Sequence, residues 1–159
     1  MLTSRIADGR DVAAVEGIVH AAYAHYVERI GVTPAPMRAD HRALIGRGSV
    51  RLAERDGVPV GVLVLDVHAD HVLVENVAVS PEEQGRGVGS LLLDLAEREA
   101  AARGIGEIRL YTNEAMTENL AYYPRRGFTE THRAVDHGFR RVFFRKLVAA
   151  HHDHHVVGP

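Results

Sequence analysis

The residues with the most chemical content form one run: Val77-Ala78-Val79-Ser80-Pro81-Glu82-Glu83-Gln84-Gly85-Arg86-Gly87-Val88-Gly89-Ser90. An apolar stretch that reads as a strand leads into a glycine-rich turn, and the turn opens a helix. Gly85, Gly87 and Gly89 allow positive φ and let the backbone approach a ligand closely. At such a helix start the N–H groups and the helix dipole converge, which suits an anion, above all a phosphate. The spacing is not a dinucleotide fingerprint, because G-x-G-x-x-G counted from Gly87 puts Leu92 at the third glycine. The plainer alternative is an ordinary strand-to-helix loop whose glycines serve only to turn the chain.

Composition narrows the chemistry further. The 159 residues carry 19 Lys+Arg against 21 Asp+Glu, a formal net charge of -2. That balance is no footprint for nucleic-acid binding. Cysteine is absent, which excludes disulfides, a thiolate nucleophile and Cys-based zinc sites. Lys146 is the one lysine, and its position excludes a G-x-x-x-x-G-K phosphate loop. A phosphate grip must therefore come from backbone N–H groups and arginine. Charges at Arg5, Asp8, Arg10, Asp11 and Glu16 break any signal-peptide pattern, and no apolar run is long enough to span a membrane. With the lack of cysteine, this points to the cytoplasm.

The elements that must position the run follow from periodicity. Residues 2–7 read as a strand, and Asp8 with Asp11 three residues on reads as the start of a helix. Val12, Val15, Ile18, Val19, Ala22 and Tyr26 recur at helical spacing. Pro34 and Pro36 mark a loop, and residues 38–46 a second helix. Strands are expected at 50–54, 59–68 and 71–80, the first two joined by Asp56-Gly57, a strong hairpin signal. Residues 88–103 make the clearest helix, ended by Gly104. A strand at 105–112, a short helix at 117–126 stopped by Gly127, and a hairpin of 128–135 with 139–148 complete the chain. The order is β-α-α-β-β-β-α-β-α-β-β, a mixed, mostly antiparallel α/β sheet flanked by helices. Residues 1–148 read as one domain. Residues 149–159 form a His-rich tail, expected to be a flexible end rather than a metal site.

Gln84-Gly85-Arg86-Gly87-Val88-Gly89 matches the Q/R-x-x-G-x-G/A signature of the GNAT superfamily of N-acetyltransferases. Val77-Ala78-Val79-Ser80-Pro81 resembles the strand that leads into that signature. Downstream, Asn119-Leu120-Ala121-Tyr122-Tyr123-Pro124-Arg125-Arg126-Gly127-Phe128 resembles the family's second motif, with a tyrosine four residues before Gly-Phe. The strand order is also that of the GNAT fold. The resemblance covers residues 2–148 and implies acetyl-CoA, or a related acyl-CoA, as the acyl donor. It places the donor's pyrophosphate on the N–H groups of Gly85, Gly87, Val88, Gly89 and Ser90, with Gln84 and Arg86 beside it. It runs the pantetheine arm along Val77, Ala78 and Val79, like an added strand.

The resemblance also implies roles for single residues. Tyr123 would be the general acid that protonates the leaving thiolate; the alternative is an aromatic packed under a short helix. Tyr122 is its neighbour and rival, and the Gly-Phe spacing selects Tyr123. Glu75, in an otherwise apolar run and on the same strand face as Val77 and Val79, is the candidate general base. Its alternatives are a solvent-facing charge or an arginine partner, with ordered water as the base. Asn119, one helical turn before Tyr123, would bond the pantetheine arm or cap the helix. Met116 stands where the commoner pattern has an asparagine. Pro124 is expected to kink or end its helix near Tyr122. The acceptor, an amine on a small molecule or peptide, would enter near Tyr23, Tyr26, Glu28, Pro34, Pro36 and Met37. Strand addition offers a route to a homodimer. A non-catalytic acyl-CoA-binding domain is the rival reading, and a nucleotide-binding protein using the same loop is a third.

Overall fold

The computed structural model describes residues 1–149. Seven strands pair in the order β1-β2-β3-β4-β5-β7-β6, and all but β4–β5 of the registered pairs described below are antiparallel. The strands are β1 (Leu2–Ile6), β2 (Val50–Arg55), β3 (Val58–Val67), β4 (Val72–Val79), β5 (Glu107–Asn113), β6 (Thr129–Asp136) and β7 (Phe139–Leu147). The helices are α1 (Val12–Tyr23), α2 (Tyr26–Ile30), α3 (Ala35–Arg38), α4 (His41–Gly46), α5 (Val88–Ala102) and α6 (Thr117–Arg125). The mixed, mostly antiparallel α/β sheet expected from the sequence is the one observed. Among the described residues, no helix is long and apolar enough to cross a membrane. The chain divides into two compact units: Met1–Asp66 with Glu75–Leu95, and Val67–Val74 with the residues from Ala96 onward.

In the first unit, Asp8 and Asp11 close the expected capping box. The Asp8 carboxylate accepts from the Arg10 N–H, and Asp11 accepts from the Asp8 N–H at 2.8 Å. Asp11 also takes both guanidinium nitrogens of Arg5 at 2.8 Å, tying β1 to the start of α1. The expected run of helix to Tyr26 is interrupted: α1 stops at Tyr23, and α2 restarts at Tyr26. The region from 38 to 46 likewise holds a break, because Ala39 and Asp40 leave helical geometry and Asp40 caps α4 through the Ala43 N–H. At Asp40 local capping outweighs apolar periodicity, whereas His25, which precedes α2, makes no side-chain cap. Asp56 and Gly57 take φ of 52° and 84°, the paired positive angles a two-residue type I′ hairpin demands. The core gathers Val12, Val15, Ile18 and Val19 of α1 with Val50, Leu52, Val62 and Val64 of β2 and β3. Each such side chain contributes roughly 1.5–3 kcal/mol by leaving water.

In the second unit, β4 pairs in parallel with β5 through Val72–Val74 opposite Ile108–Leu110. β7 lies antiparallel to β5, from Glu107↔Leu147 to Asn113↔Arg141. β6 closes the hairpin on β7 through His137 and Gly138, again both at positive φ. Ile108 and Leu110 of β5 and Val142 and Phe144 of β7 are buried. Two helices end here in the same way. At the end of α5, Ile105 N–H reaches Ala100 O and Gly104 N–H reaches Ala101 O. At the end of α6, Phe128 N–H reaches Tyr123 O and Gly127 N–H reaches Pro124 O. Both are Schellman motifs, with glycine at the left-handed position.

Candidate functional site

The glycine-rich loop belongs to the first unit. Pro81–Glu83 forms one turn of 3-10 helix, Gln84 is extended, and the ladder of α5 opens with Leu91 N–H on Gly87 O at 3.0 Å. Gly85 and Gly87 have φ of 79° and 89°, and a Cβ on either would meet nothing within 4 Å. There is thus open space over the loop, and the backbone conformation is one that glycine supplies. Gly89, expected to share that freedom, is the second residue of α5 and is helical. Its N–H contributes through helix geometry: Val88, Gly89 and Ser90 form the first turn, whose N–H groups have no carbonyl four residues back inside the helix. Those donors, added to the helix dipole, suit a phosphate without any lysine.

Two features that sequence reading missed hold the loop. Glu83 is buried, 7% exposed, and accepts from Arg55 at 2.9 Å and from Arg86 at 3.2 Å. Arg55 also donates to the Arg86 carbonyl at 3.3 Å. Arg86 is therefore engaged with Glu83, while its side chain keeps 56% exposure. A run of Glu82-Glu83-Gln84 gives no sign of which carboxylate turns inward. The second feature is Gly61 on β3. A Cβ there would sit 2.6 Å from Val88 Cγ1 and 3.0 Å from Leu92 Cδ1. The β3 backbone at Gly61 thus receives the side chains of Val88 and Leu92 of α5 at close range. A glycine inside a strand pattern is the one signal that could have marked it.

β4 presents its two faces as alternation requires. Asn76, Ala78 and Ser80 are buried, and Glu75, Val77 and Val79 are half-buried. Glu75 therefore shares its face with Val77 and Val79, as expected. On the opposite face, the Tyr23 hydroxyl donates to Asn76 Oδ1 at 2.7 Å and reaches the Val77 carbonyl at 3.4 Å. Asn76 was not anticipated, because a polar residue in an apolar strand looks the same whichever way it points. Glu28 is exposed on α2, and Tyr26 carries the Arg29 guanidinium 4.9 Å above its ring.

The tyrosine motif belongs to the second unit, and its spacing has a geometric cause. Tyr123 is the residue at the third position before the cap, Gly127 is the left-handed residue and Phe128 follows it. The Schellman motif pairs the first and last of these in space, and the Tyr123 and Phe128 rings stand 5.7 Å apart, edge to face. Tyr123 also packs on Phe144 at 5.7 Å and on Tyr122 at 5.5 Å. Pro124 does not end the helix near Tyr122. α6 runs to Arg125, because Pro124 lies in the last turn, where Arg126 and Gly127 N–H groups already close on the carbonyls of residues 122–124. Lys146 stabilises the same terminus, donating to Arg126 O and to Glu97 at 2.8 Å each. Asn119 does not cap the helix; Met116 is the cap residue, and Asn119 Nδ2 donates to Thr112 Oγ1 at 3.0 Å. Among the described residues, no three His, Asp or Glu side chains stand in metal-holding geometry. The His-rich stretch from 150 onward lies outside the described residues.

The profile of the acetyltransferase (GNAT) family matches residues 15–128. A mycothiol acetyltransferase of Streptomyces griseus subsp. griseus is 37% identical over 125 residues, covering 76% of this chain and 40% of that protein. A mycothiol acetyltransferase of Cellulomonas flavigena is 31% identical over 140 residues, covering 80% of this chain and again 40% of the relative. The chain therefore spans less than half the length of these relatives. Among solved structures, PaiA N-acetyltransferase from Thermoplasma acidophilum, in complex with coenzyme A, superposes with a TM-score of 0.78 at 17% identity, over 92% of this chain and 99% of that one. The ribosomal-protein-S18-alanine N-acetyltransferase of Escherichia coli superposes with a TM-score of 0.73 at 18% identity, over 93% and 94%. These two likenesses show a shared fold. With its glycine loop at the head of α5 and the family profile running from 15 to 128, this chain belongs to the acetyltransferase (GNAT) family.

Proposed function

We propose that the chain transfers an acetyl group from acetyl-CoA to a primary amine by direct attack in a ternary complex. The observation that carries this reading is the loop of residues 84–90: two left-handed glycines under open space, leading into the unsatisfied first turn of a 15-residue helix. Backbone donors in that arrangement fit a pyrophosphate, and no lysine is needed. The thioester of acetyl-CoA supplies an activated acyl carbon. Residues 1–148 are kept as one acyltransferase domain in this proposal, since the family match draws on both units.

The roles are proposed residue by residue. Gly85, Gly87, Val88, Gly89 and Ser90 hold the pyrophosphate through N–H groups. Gln84 and Arg86 flank it, Arg86 acting from its perch on Glu83. The backbone of Val77, Ala78 and Val79 carries the pantetheine amides, and Asn119 orients the arm from its bond to Thr112. The amine nitrogen attacks the acyl carbon and the C–S bond breaks. Glu75, or water ordered by it, takes the amine's proton, and the Tyr123 phenol gives one to the leaving sulfur. A chain without cysteine has no thiol for an acetyl-enzyme, which favours one-step transfer. The curated relatives carry the name mycothiol acetyltransferase, which favours a small-molecule amine over a protein acceptor.

An assay of CoA thiol release over a library of primary amines tests the proposal. At least one amine should give acetyl-CoA turnover and an N-acetylated product. Acetyl-CoA binding with no turnover on any amine would instead establish the non-catalytic acyl-CoA-binding reading. Binding of ATP or NAD with indifference to CoA would sink both.

A further inference from the structure

Lys146 is the chain's one lysine; the other eighteen of its Lys and Arg residues are arginines. It stands on β7, two residues from Phe144 and on the same side of the strand. Its ammonium donates to Glu97 of α5 and to the Arg126 carbonyl at the end of α6, both at 2.8 Å. The Lys146 and Glu97 side chains are only 23% and 25% exposed. The pair is thus partly out of water, where charge-assisted hydrogen bonds are strong. One side chain joins α5, α6 and β7 within the second unit.

The Arg126 carbonyl is among the last of α6, which the helix itself leaves unpaired. A Schellman motif closes a helix with backbone groups alone, so ending α6 does not require a lysine. What the lysine fixes is the peptide that follows Arg126. The N–H groups flanking that carbonyl, those of Arg126 and Phe128, reach Tyr123 O at 2.9 and 3.1 Å. The Phe128 ring, edge to face with Tyr123, lies 5.8 Å from the Lys146 ammonium. Phe144, on the same side of β7 as Lys146, packs on the Tyr123 ring. Gly127 leaves room for the stem: a Cβ there would stand 3.0 Å from Lys146 Cε and 3.3 Å from Nζ. A compact ammonium on a slim stem fits this passage; a planar guanidinium is broader. We infer that Lys146 is a positioning residue for Tyr123. By fixing the Arg126 carbonyl and the Phe128 ring, it holds the phenol in the pose for proton transfer. This assignment rests on the acid role proposed for Tyr123.

Lys146→Met with Glu97→Leu removes the ammonium and replaces the ion pair by apolar side chains, an exchange that tends to preserve stability. Single-turnover thiol release is measured at saturating acetyl-CoA with the best amine from the library. Tm, the acetyl-CoA Kd and the Tyr123 ring signals in NMR, assigned against Tyr123→Phe, are measured alongside. The expected result is a rate lower by roughly tenfold and shifted Tyr123 ring signals, with Kd unchanged and Tm close to the parent's. In a Tyr123→Phe background the same two changes should slow the reaction by less than about twofold, because the group being positioned is already gone. Should the paired variant fail to fold, Glu97→Gln keeps the lysine, loosens its anchor and should slow the reaction severalfold. Unshifted Tyr123 signals, a parent rate in the folded variant, or the same loss of about tenfold in the Tyr123→Phe background would each overturn the assignment of Lys146 and leave the acid role standing. Tyr123→Phe releasing CoA as fast as the parent would overturn the acid role, and this assignment with it.

Discussion

Gly61→Ala tests how the glycine loop is positioned. The added Cβ would lie 2.6 Å from Val88 Cγ1, 3.0 Å from Leu92 Cδ1 and 3.4 Å from Ala53 Cβ. Carbon atoms pack at about 3.5–4.0 Å, so Val88 must retreat by about 1 Å. It has little room, because Val88 is 1% exposed, Leu92 is fully buried and a β-branched side chain is stiff at χ1. Overpacking of this kind costs about 1–3 kcal/mol. For a chain of this length that lowers Tm by roughly 2–12 °C. The strain falls on the first residue of α5, next to Gly87, so acetyl-CoA affinity should fall along with stability. Removing Cγ1 should relieve it: Gly61→Ala with Val88→Ala should lose about 1 kcal/mol less than the two single changes together. Urea unfolding of the four proteins of this cycle, with calorimetric titration of acetyl-CoA, gives both quantities. Unchanged stability in Gly61→Ala, or strictly additive losses, would refute the close contact between β3 and α5.

Three further outcomes follow from the geometry. Glu83→Gln weakens the hold on Arg55 and Arg86; with Arg86 more than half exposed, the expected loss is about 1–2 kcal/mol, with a severalfold rise in the acetyl-CoA Kd. Equal Kd values would show that the brace does not set the loop. Asp11 is held at about 2, below its ordinary 3.8, mainly by its hydrogen bonds from Arg5. Its contribution is present above pH 3.8 and is lost as pH falls through 2; the full shift corresponds to about 2 kcal/mol, and screening at the third-exposed Arg5 brings it nearer 1. Asp11→Asn should therefore be less stable than the parent at pH 5, with the gap closing toward pH 2; a constant gap in acid unfolding would refute this linkage. Acetyl-pantetheine, which lacks the pyrophosphate, should bind at least about tenfold more weakly than acetyl-CoA. Equal affinity by calorimetry would remove the phosphate role from residues 85–90.

The parts of this fold written in local code were legible in the sequence. Asp56-Gly57 specified a turn whose two positive φ angles only a few residue pairs accept, and Gly104 and Gly127 marked helix ends for the same reason. The alternation around Glu75 placed it correctly with Val77 and Val79. The spacing of Tyr123 from Gly127 and Phe128, carried by the motif resemblance, corresponds in the structure to a helix cap. What escaped depends on tertiary contact. Glu83 is buried only because Arg55, 28 residues away in sequence, meets it. Gly61 matters only because α5 lands on it. Tyr23 and Asn76 pair across 53 residues. Pro124 misled because proline's cost applies to helix interiors, and α6 places it in the final turn, where little remains to break.

The central proposal is acyl transfer with Tyr123 as the acid, and Tyr123→Phe is its most direct test. The change keeps the ring and its packing on Phe128 and Phe144 while removing the hydroxyl. Single-turnover thiol release is measured at saturating acetyl-CoA, with the best amine from the library. The expected result is a rate lower by roughly 10²-fold or more, with the acetyl-CoA Kd unchanged. A variant that releases CoA as fast as the parent would contradict the acid role of Tyr123.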